Sequence, residues 1–65
     1  MAKKVYELIE LLEANGWVYQ RTRGDHHLFM KEGARRSIPV PGKRNDDIPS
    51  GVLHAILRET GLKIK

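Results

Sequence analysis

The stretch Arg23-Gly24-Asp25-His26-His27-Leu28-Phe29 lies between two segments with the composition of β-strands, and it predicts a β-hairpin. Residues 17–23 before it are rich in aromatic and β-branched side chains, and residues 26–31 continue after it as His-His-Leu-Phe-Met-Lys. Glycine and aspartate are frequent turn residues, so we place the turn at Arg23-Gly24-Asp25. The other elements can be arranged outward from this hairpin.

A third strand and a first helix flank the hairpin. Residues 34–40 predict the strand, with Ile38 and Val40 on one face, and the prolines at its end indicate that it stops there or lies at an edge. Residues 4–14 predict the helix, because their apolar side chains recur at the spacing that places them on one side. These side chains are Val5, Leu8, Ile9 and Leu12.

A second helix is predicted over residues 49–60, after a polar loop over 41–47. Asp46 and Asp47 are candidates to cap it, because a carboxylate accepts hydrogen bonds from the free N–H groups of a first turn. Pro49 suits that first turn, where a missing N–H has no cost. The predicted buried side chains are Val52, Leu53, Ala55, Ile56 and Leu57.

The resulting α-β-β-β-α order predicts an α+β fold in a single domain over residues 1–65. Short turns make the strands a three-stranded antiparallel sheet, and both helices then pack on one face of it. The other face stays open to solvent or to a ligand. A chain of this length buries roughly 60% of its unfolded surface, so we expect a small core.

The positive charge is concentrated in the middle of the chain. The net charge is +4, and residues 21–44 carry seven Lys or Arg against Asp25 and Glu32, which gives +5 for that segment. Such a patch suits a polyanion, because neutralised phosphates release their counterions. A solvated surface that binds nothing explains the charge equally well.

Composition excludes several classes of protein. The chain contains no cysteine, so it has neither disulfides nor thiolate metal sites. No apolar run approaches the roughly 20 residues of a membrane span, and the N-terminus leads into a glutamate-bearing helix pattern rather than a signal sequence. We expect a cytoplasmic protein that does not contact membranes.

His26 is the candidate catalytic residue. Histidine transfers protons near neutral pH, and basic side chains surround this one in the sequence, which points to phosphate chemistry. Adjacent strand residues point to opposite faces, so if Phe29 is in the core, His26 lies on the open face and His27 faces the helices or the sheet margin. The remaining histidine, His54, is expected on the surface of a helix. Three histidines without cysteine do not make a zinc pattern, and we expect no metal and no cofactor.

Two aromatic residues can be read in two ways. Trp17 and Tyr19 could stack nucleic-acid bases, as aromatic side chains do in single-strand binders. Trp17 directly follows the first helix, and packing beneath Leu12 in the core is the favoured interpretation. The sequence leaves Tyr19 undecided.

Four segments in this order resemble the HicA toxins, which are small ribonuclease components of toxin–antitoxin pairs. The resemblance covers about residues 5–62. Its carriers are Leu8-Ile9-Glu10-Leu11-Leu12-Glu13-Ala14-Asn15-Gly16-Trp17; Arg23-Gly24-Asp25-His26-His27-Leu28-Phe29; Ile38-Pro39-Val40-Pro41 with Lys43; and Ile48-Pro49-Ser50-Gly51-Val52-Leu53 through Ile56-Leu57 to Gly61-Leu62.

The resemblance implies a fold like the double-stranded-RNA-binding domain and an mRNA-cleaving toxin that a HicB-type antitoxin holds inactive. It also implies that His26 is catalytic, and the family's aromatic residue three positions later matches Phe29. The family commonly has serine where this chain has Asp25. A carboxylate there favours the protonated imidazole but repels an approaching phosphate.

The leading hypothesis is therefore a metal-independent endoribonuclease. Arg23, Arg35 and Arg36 are candidates to neutralise charge at the phosphorus, and Asp25 and His27 are candidates to assist the proton transfer. Further RNA-binding candidates are Arg21, Lys43 and Arg44. The alternatives are a non-catalytic RNA-binding module of the same fold and a subunit whose basic patch docks an acidic partner.

Overall fold

The computed structural model describes residues 3–63 and confirms the predicted α+β fold. The elements are β1 (Lys3–Lys4), α1 (Val5–Ala14), β2 (Val18–Arg23), β3 (His26–Met30), β4 (Ile38–Pro41), β5 (Asp47–Ile48) and α2 (Ser50–Thr60). Strands β2, β3 and β4 form an antiparallel sheet in that order, and β1 pairs with β5 in a separate two-stranded ladder. The β1–β5 ladder was not predicted from the sequence.

The hairpin lies where the sequence predicts it. Arg23 pairs with His26, so only Gly24 and Asp25 form the loop between β2 and β3. Of these two loop residues, Gly24 has a positive φ of +60° and Asp25 does not. Glycine at the first central position of a two-residue loop is the type II′ pattern, whose twist matches that of the flanking strands.

Both helices cover the same face of the sheet, as predicted. Phe29 pairs with Ile38 across β3 and β4, and the two side chains are 2% and 3% exposed. They share one apolar cluster with buried residues of both helices and with Trp17, which confirms Trp17 as a core residue. The helical members are Val5, Leu8, Ile9 and Leu12 of α1 and Leu53 and Ile56 of α2.

Three details of the sequence prediction were wrong. β4 begins at Ile38 rather than at 34, because the chain first turns at Gly33, where the N–H of Ala34 donates to the carbonyl of Lys31 at 2.9 Å. Ala55 is exposed, because it lies on the side of α2 opposite Leu53.

The third wrong detail concerns the start of α2. Pro49 occupies the N-cap and no side chain caps the helix. Asp47 lies in β5 and pairs with Lys4, while the carboxylate of Asp46 accepts from the backbone N–H of Lys43. Both aspartates therefore serve the preceding loop rather than α2.

Candidate active site

The open face of the sheet carries His26 between two neighbours from adjacent strands. His26 pairs with Arg23 on β2 and with Pro41 on β4, and side chains of directly paired residues lie on the same face. Both His26 and Arg23 are exposed. The prediction that His26 lies on the open face, which follows from the alternation of side chains and the burial of Phe29, is therefore confirmed. The imidazole lies beside the guanidinium of Arg23 and away from the core.

A bulge in β2 gives this face its arginines. Tyr19 pairs with Phe29, but Arg21 pairs with Leu28, so Gln20 is an extra residue without a partner in the register. The extra residue reverses the alternation of faces beyond it. Arg21 and Arg23 consequently share the open face with His26.

A cleft of about 500 Å³ opens at the turn end of the sheet, and we call it the hairpin cleft. The β2–β3 turn forms one wall, and residues 42–46, which we call the basic loop, form the other. The lining residues are Thr22, Gly24, Asp25, His26, His27, Pro41, Gly42, Lys43 and Asp46. The hairpin cleft therefore places Lys43 across from the candidate catalytic histidine.

Backbone hydrogen bonds hold the basic loop against the turn. The N–H of Gly42 donates to the carbonyl oxygen of Asp25 at 3.1 Å, which joins the two walls directly. The N–H of Lys43 donates to Oδ2 of Asp46 at 3.0 Å, and the N–H of Asp46 donates back to the carbonyl of Lys43 at 2.9 Å. Gly42 has φ +88°, and a Cβ there would lie 3.3 Å from Oδ2 of Asp46, so the position requires glycine.

The basic loop also caps α1. The first N–H groups of a helix have no partner within it, and here Val5 and Tyr6 donate to the carbonyls of Asp46 and Arg44 at 2.9 and 3.0 Å. The carbonyl groups of the loop are therefore fixed by the helix that supplies much of the core. The Lys43 and Arg44 side chains therefore extend from a segment whose backbone is held in place by hydrogen bonds.

The β1–β5 ladder closes the far side of this segment. Nζ of Lys4 lies 2.8 Å from Oδ1 of Asp47, and this hydrogen bond, reinforced by the charge of the carboxylate, raises the pKa of Lys4 above its ordinary value. Lys3 also pairs with Ile48 in the backbone ladder. Both ends of the basic loop are thus tied to the rest of the domain.

His27 lies on the helix side of the sheet, at its margin. It is half-buried, and its Nδ1 is 3.2 Å from the hydroxyl of Thr22, its cross-strand partner. The hydroxyl of Thr22 in turn lies 2.7 Å from that of Tyr19. Sequence reasoning overlooked Thr22, and only the strand register identifies it.

The structure brings some of the predicted basic residues to His26 and leaves two elsewhere. Lys43 lines the hairpin cleft, Arg23 lies beside His26 on the open face, and Arg21 is further along that face. Arg35 and Arg36 lie in the loop beyond the opposite end of β3, which at about 3.3 Å per residue is on the order of 13 Å away. There they line a second cleft of about 490 Å³. Arg36 Nη2 is 3.0 Å from Oε1 of Glu59.

Two further observations concern metals and membranes. Among residues 3–63, no three His, Asp or Glu side chains come together in a way that could hold a metal ion. Over the same residues, no helix combines the length and the apolar character that crossing a membrane demands. His54 is exposed on α2, as predicted.

The chain matches a family model described as the HicA toxin of bacterial toxin-antitoxin, and the match spans residues 5–62. It includes both helices, the complete three-stranded sheet and the basic loop. No curated protein matches the chain significantly.

Proposed function

The chain belongs to the HicA toxin family, and from this premise we propose that it is an endoribonuclease that cleaves mRNA without a metal ion. The observation that carries the proposal is the position of His26. It is exposed on the open face, beside Arg23 and across the hairpin cleft from Lys43.

RNA supplies its own nucleophile in the 2′-hydroxyl group, so the protein has to move protons and stabilise charge at the phosphorus. An imidazole is suited to the proton transfer at neutral pH. The 2′-hydroxyl gives up its proton to a general base as its oxygen bonds to phosphorus, and the bond to the 5′-oxygen breaks. The products are a 2′,3′-cyclic phosphate and a 5′-hydroxyl, and the leaving oxygen takes up a proton.

The candidate RNA-binding side chains divide into three groups by their position relative to His26. In this proposal Arg23, the cross-strand partner of His26, and Lys43, on the other wall of the hairpin cleft, neutralise the charge that develops on the reacting phosphate. Arg21 and Arg44 lie next to them and hold the adjoining backbone. Arg35 and Arg36 are too far along the sheet for the reacting phosphate, and they extend the basic surface for a longer RNA strand.

The two assisting candidates differ in their placement. His27 lines the same cleft from the helix side, with Nδ1 held by Thr22. Asp25 lines it from the turn, where a carboxylate opposes the phosphate by charge. In this proposal His27 assists proton transfer, and Asp25 weakens RNA binding.

The expected protein partner is a HicB-type antitoxin. The basic open face would be covered in such a complex, because an inhibitor of RNA cleavage has to keep the polyanion away from His26. An acidic antitoxin surface complements the charge of this face.

Cleavage of a labelled RNA by the purified chain in excess EDTA tests the proposal. Cleavage with 2′,3′-cyclic phosphate ends is expected, and the same oligonucleotide with 2′-deoxy sugars is expected to remain intact. Binding without cleavage would favour the alternative, a non-catalytic RNA-binding module. Cleavage of the deoxy substrate would contradict a mechanism that depends on the 2′-hydroxyl.

A further inference from the structure

A third cleft, distinct from the hairpin cleft and from the cleft at Arg35 and Arg36, lies on the helix side of the β2–β3 hairpin. Its volume is about 360 Å³, near the lower end of the roughly 300–1,000 Å³ common for small-molecule sites. We call it the helix-side cleft, and its lining residues are Ile9, Glu13, Tyr19, Thr22, His27, Phe29 and Arg44. We propose that it binds one unpaired base of the RNA strand whose backbone crosses His26, an inference that rests on the proposed function.

Tyr19 offers a stacking surface that the core does not use. Its cross-strand partner Phe29 is 2% exposed, whereas Tyr19 itself is 48% exposed although it lies on the same side of the sheet. Tyr19 lies on the edge strand β2, where Ile9 and Glu13 of α1 line the cleft beside it without burying its ring. A base has an apolar face, and stacking on an exposed aromatic ring is the usual way in which single strands bind.

The ring of Tyr19 is held in place before any ligand arrives. Its hydroxyl is 2.7 Å from that of Thr22, and its ring meets Phe29 edge-on, with centroids 5.8 Å apart and planes at 67°. The centroid of the His27 ring lies 6.4 Å from that of Tyr19. A side chain fixed in this way loses little conformational entropy on binding, which favours affinity.

The charges of the helix-side cleft suit a base with its adjoining phosphate. Glu13 and Arg44 are its only fully charged side chains among the described lining residues, so the cleft is close to neutral, as a nucleobase requires. Arg44 also belongs to the basic loop, next to Lys43. A phosphate at Arg44 would therefore link a base in the helix-side cleft to the backbone at Lys43.

The helix-side cleft and the hairpin cleft are adjacent. Thr22 and His27 line both of them, and the basic loop contributes to both. A strand that presents its scissile phosphate to His26 can pass along the basic loop and place a neighbouring base on Tyr19. The helix-side cleft then acts as a subsite that holds the substrate in register.

The test is the binding of short 2′-O-methyl oligonucleotides, which cannot be cleaved through the 2′-oxygen. Octamers of A, C and U are titrated by fluorescence anisotropy into the wild type, Tyr19→Leu and Tyr19→Phe. Leucine keeps apolar packing on Phe29 but removes the aromatic face. Affinity for at least one octamer is expected to fall roughly 5- to 100-fold in Tyr19→Leu, which corresponds to stacking of one base. Tyr19→Phe keeps the ring and is expected to stay within about threefold of the wild type.

A matched control is Tyr6→Leu, because Tyr6 is the other exposed tyrosine and lines neither cleft. Its affinity is expected to equal that of the wild type. The salt slope of Tyr19→Leu is also expected to be unchanged, since no phosphate contact is lost, whereas Arg44→Ala is expected to reduce it by about 0.7.

The possible failures are distinguishable. If wild-type protein binds no octamer, both the proposed function and this inference are wrong. If the wild type binds but Tyr19→Leu binds equally well, only the base subsite is overturned. An equal loss in Tyr19→Leu and Tyr6→Leu would likewise contradict it.

Discussion

Tyr19 and Arg21 are two residues apart on β2 and yet point to opposite faces of the sheet. Tyr19 pairs with Phe29 on the helix side, and Arg21 pairs with Leu28 on the open side, because the bulge at Gln20 lies between them. This relationship separates an aromatic surface from a cationic one on the same strand. It also assigns the two sides of the hairpin to different parts of the proposed RNA site.

The first prediction concerns His26. Its replacement by alanine is expected to lower the cleavage rate by about 10²- to 10⁴-fold, the usual contribution of general acid–base catalysis. The side chain is exposed, so stability is expected to change by less than about 0.5 kcal/mol. Cleavage assays and thermal unfolding of His26→Ala are compared with His54→Ala, an exposed histidine on α2. Retained cleavage in His26→Ala, or equal losses in both variants, would contradict the catalytic role.

The second prediction concerns the salt dependence of RNA binding. If about three to five phosphates are neutralised, the log–log slope is expected to be roughly −2 to −4. Arg23→Ala and Lys43→Ala are each expected to make the slope shallower by about 0.7, because one phosphate contact is lost. Lys63→Ala removes an exposed charge beyond α2 and is expected to leave the slope unchanged. If neither Arg23→Ala nor Lys43→Ala changes the slope, the RNA does not bind at the site of His26.

Asp25→Ser is expected to bind RNA more tightly. The substitution removes a carboxylate from the hairpin cleft while keeping the backbone carbonyl that accepts the N–H of Gly42. Removal of one negative charge near a phosphate accounts for a gain in RNA affinity of up to roughly fivefold at low salt, and this gain declines as salt is added. Glu10→Ser makes the same change in net charge on the exposed side of α1, away from the open face. If both variants gain equally, the effect belongs to the overall charge and not to the cleft.

Gly42→Ala is expected to lower the free energy of unfolding by about 1–2 kcal/mol, because an L-residue is strained at φ +88°. The added Cβ would also press on Asp46, so the basic loop would lose its contact with the hairpin turn. RNA binding is expected to weaken along with stability. Urea unfolding at fixed pH measures the first effect, and anisotropy measures the second.

Gly51→Ala is the matched control for Gly42→Ala. Gly51 lies in the first turn of α2, and a Cβ there meets no atom within 4 Å. Alanine is expected to stabilise the domain by about 0.5 kcal/mol and to leave RNA binding alone. Equal behaviour of the two alanine variants would refute the strained-loop argument.

The fifth prediction uses the raised pKa of Lys4, which the hydrogen bond to Asp47 causes. The protonated lysine binds the carboxylate in the folded state, so its contribution to stability is fully present below the ordinary lysine value of 10.5. The contribution is lost as pH rises through the raised pKa. Lys4→Met is therefore expected to be less stable than the wild type near neutral pH, and the difference is expected to vanish in strong alkali.

Guanidinium unfolding of the wild type and Lys4→Met across the alkaline range measures this convergence. The other ionisable groups are the same in both proteins, so their contributions cancel in the comparison. Lys63→Met is expected to show no such trend. A difference that persists above the raised pKa would mean that the ion pair is not its source.

Local patterns in the sequence determined the two helices, the three-stranded sheet and the fold, but not the β1–β5 ladder. Helical spacing identified the buried face of α1, strand composition and the Gly24-Asp25 turn identified the hairpin, and short connections required an antiparallel sheet. Alternation from Phe29 also assigned His26 to the open face. These predictions succeeded because spacing and turn chemistry act over a few residues.

Tertiary structure decided which side chains meet at the candidate site. The bulge at Gln20 depends on how β2 registers against β3, so the sequence did not show that Arg21 and Arg23 share the face of His26 while Tyr19 does not. The basic loop takes its shape from the free N–H groups of α1, whose partners lie some forty positions away along the chain. Asp46 and Asp47 were assigned to α2 because it follows them directly, whereas their hydrogen bonds and charges are satisfied by the loop and by Lys4. Unpaired donors and charges take the partner that folding brings near, and sequence distance does not determine that partner.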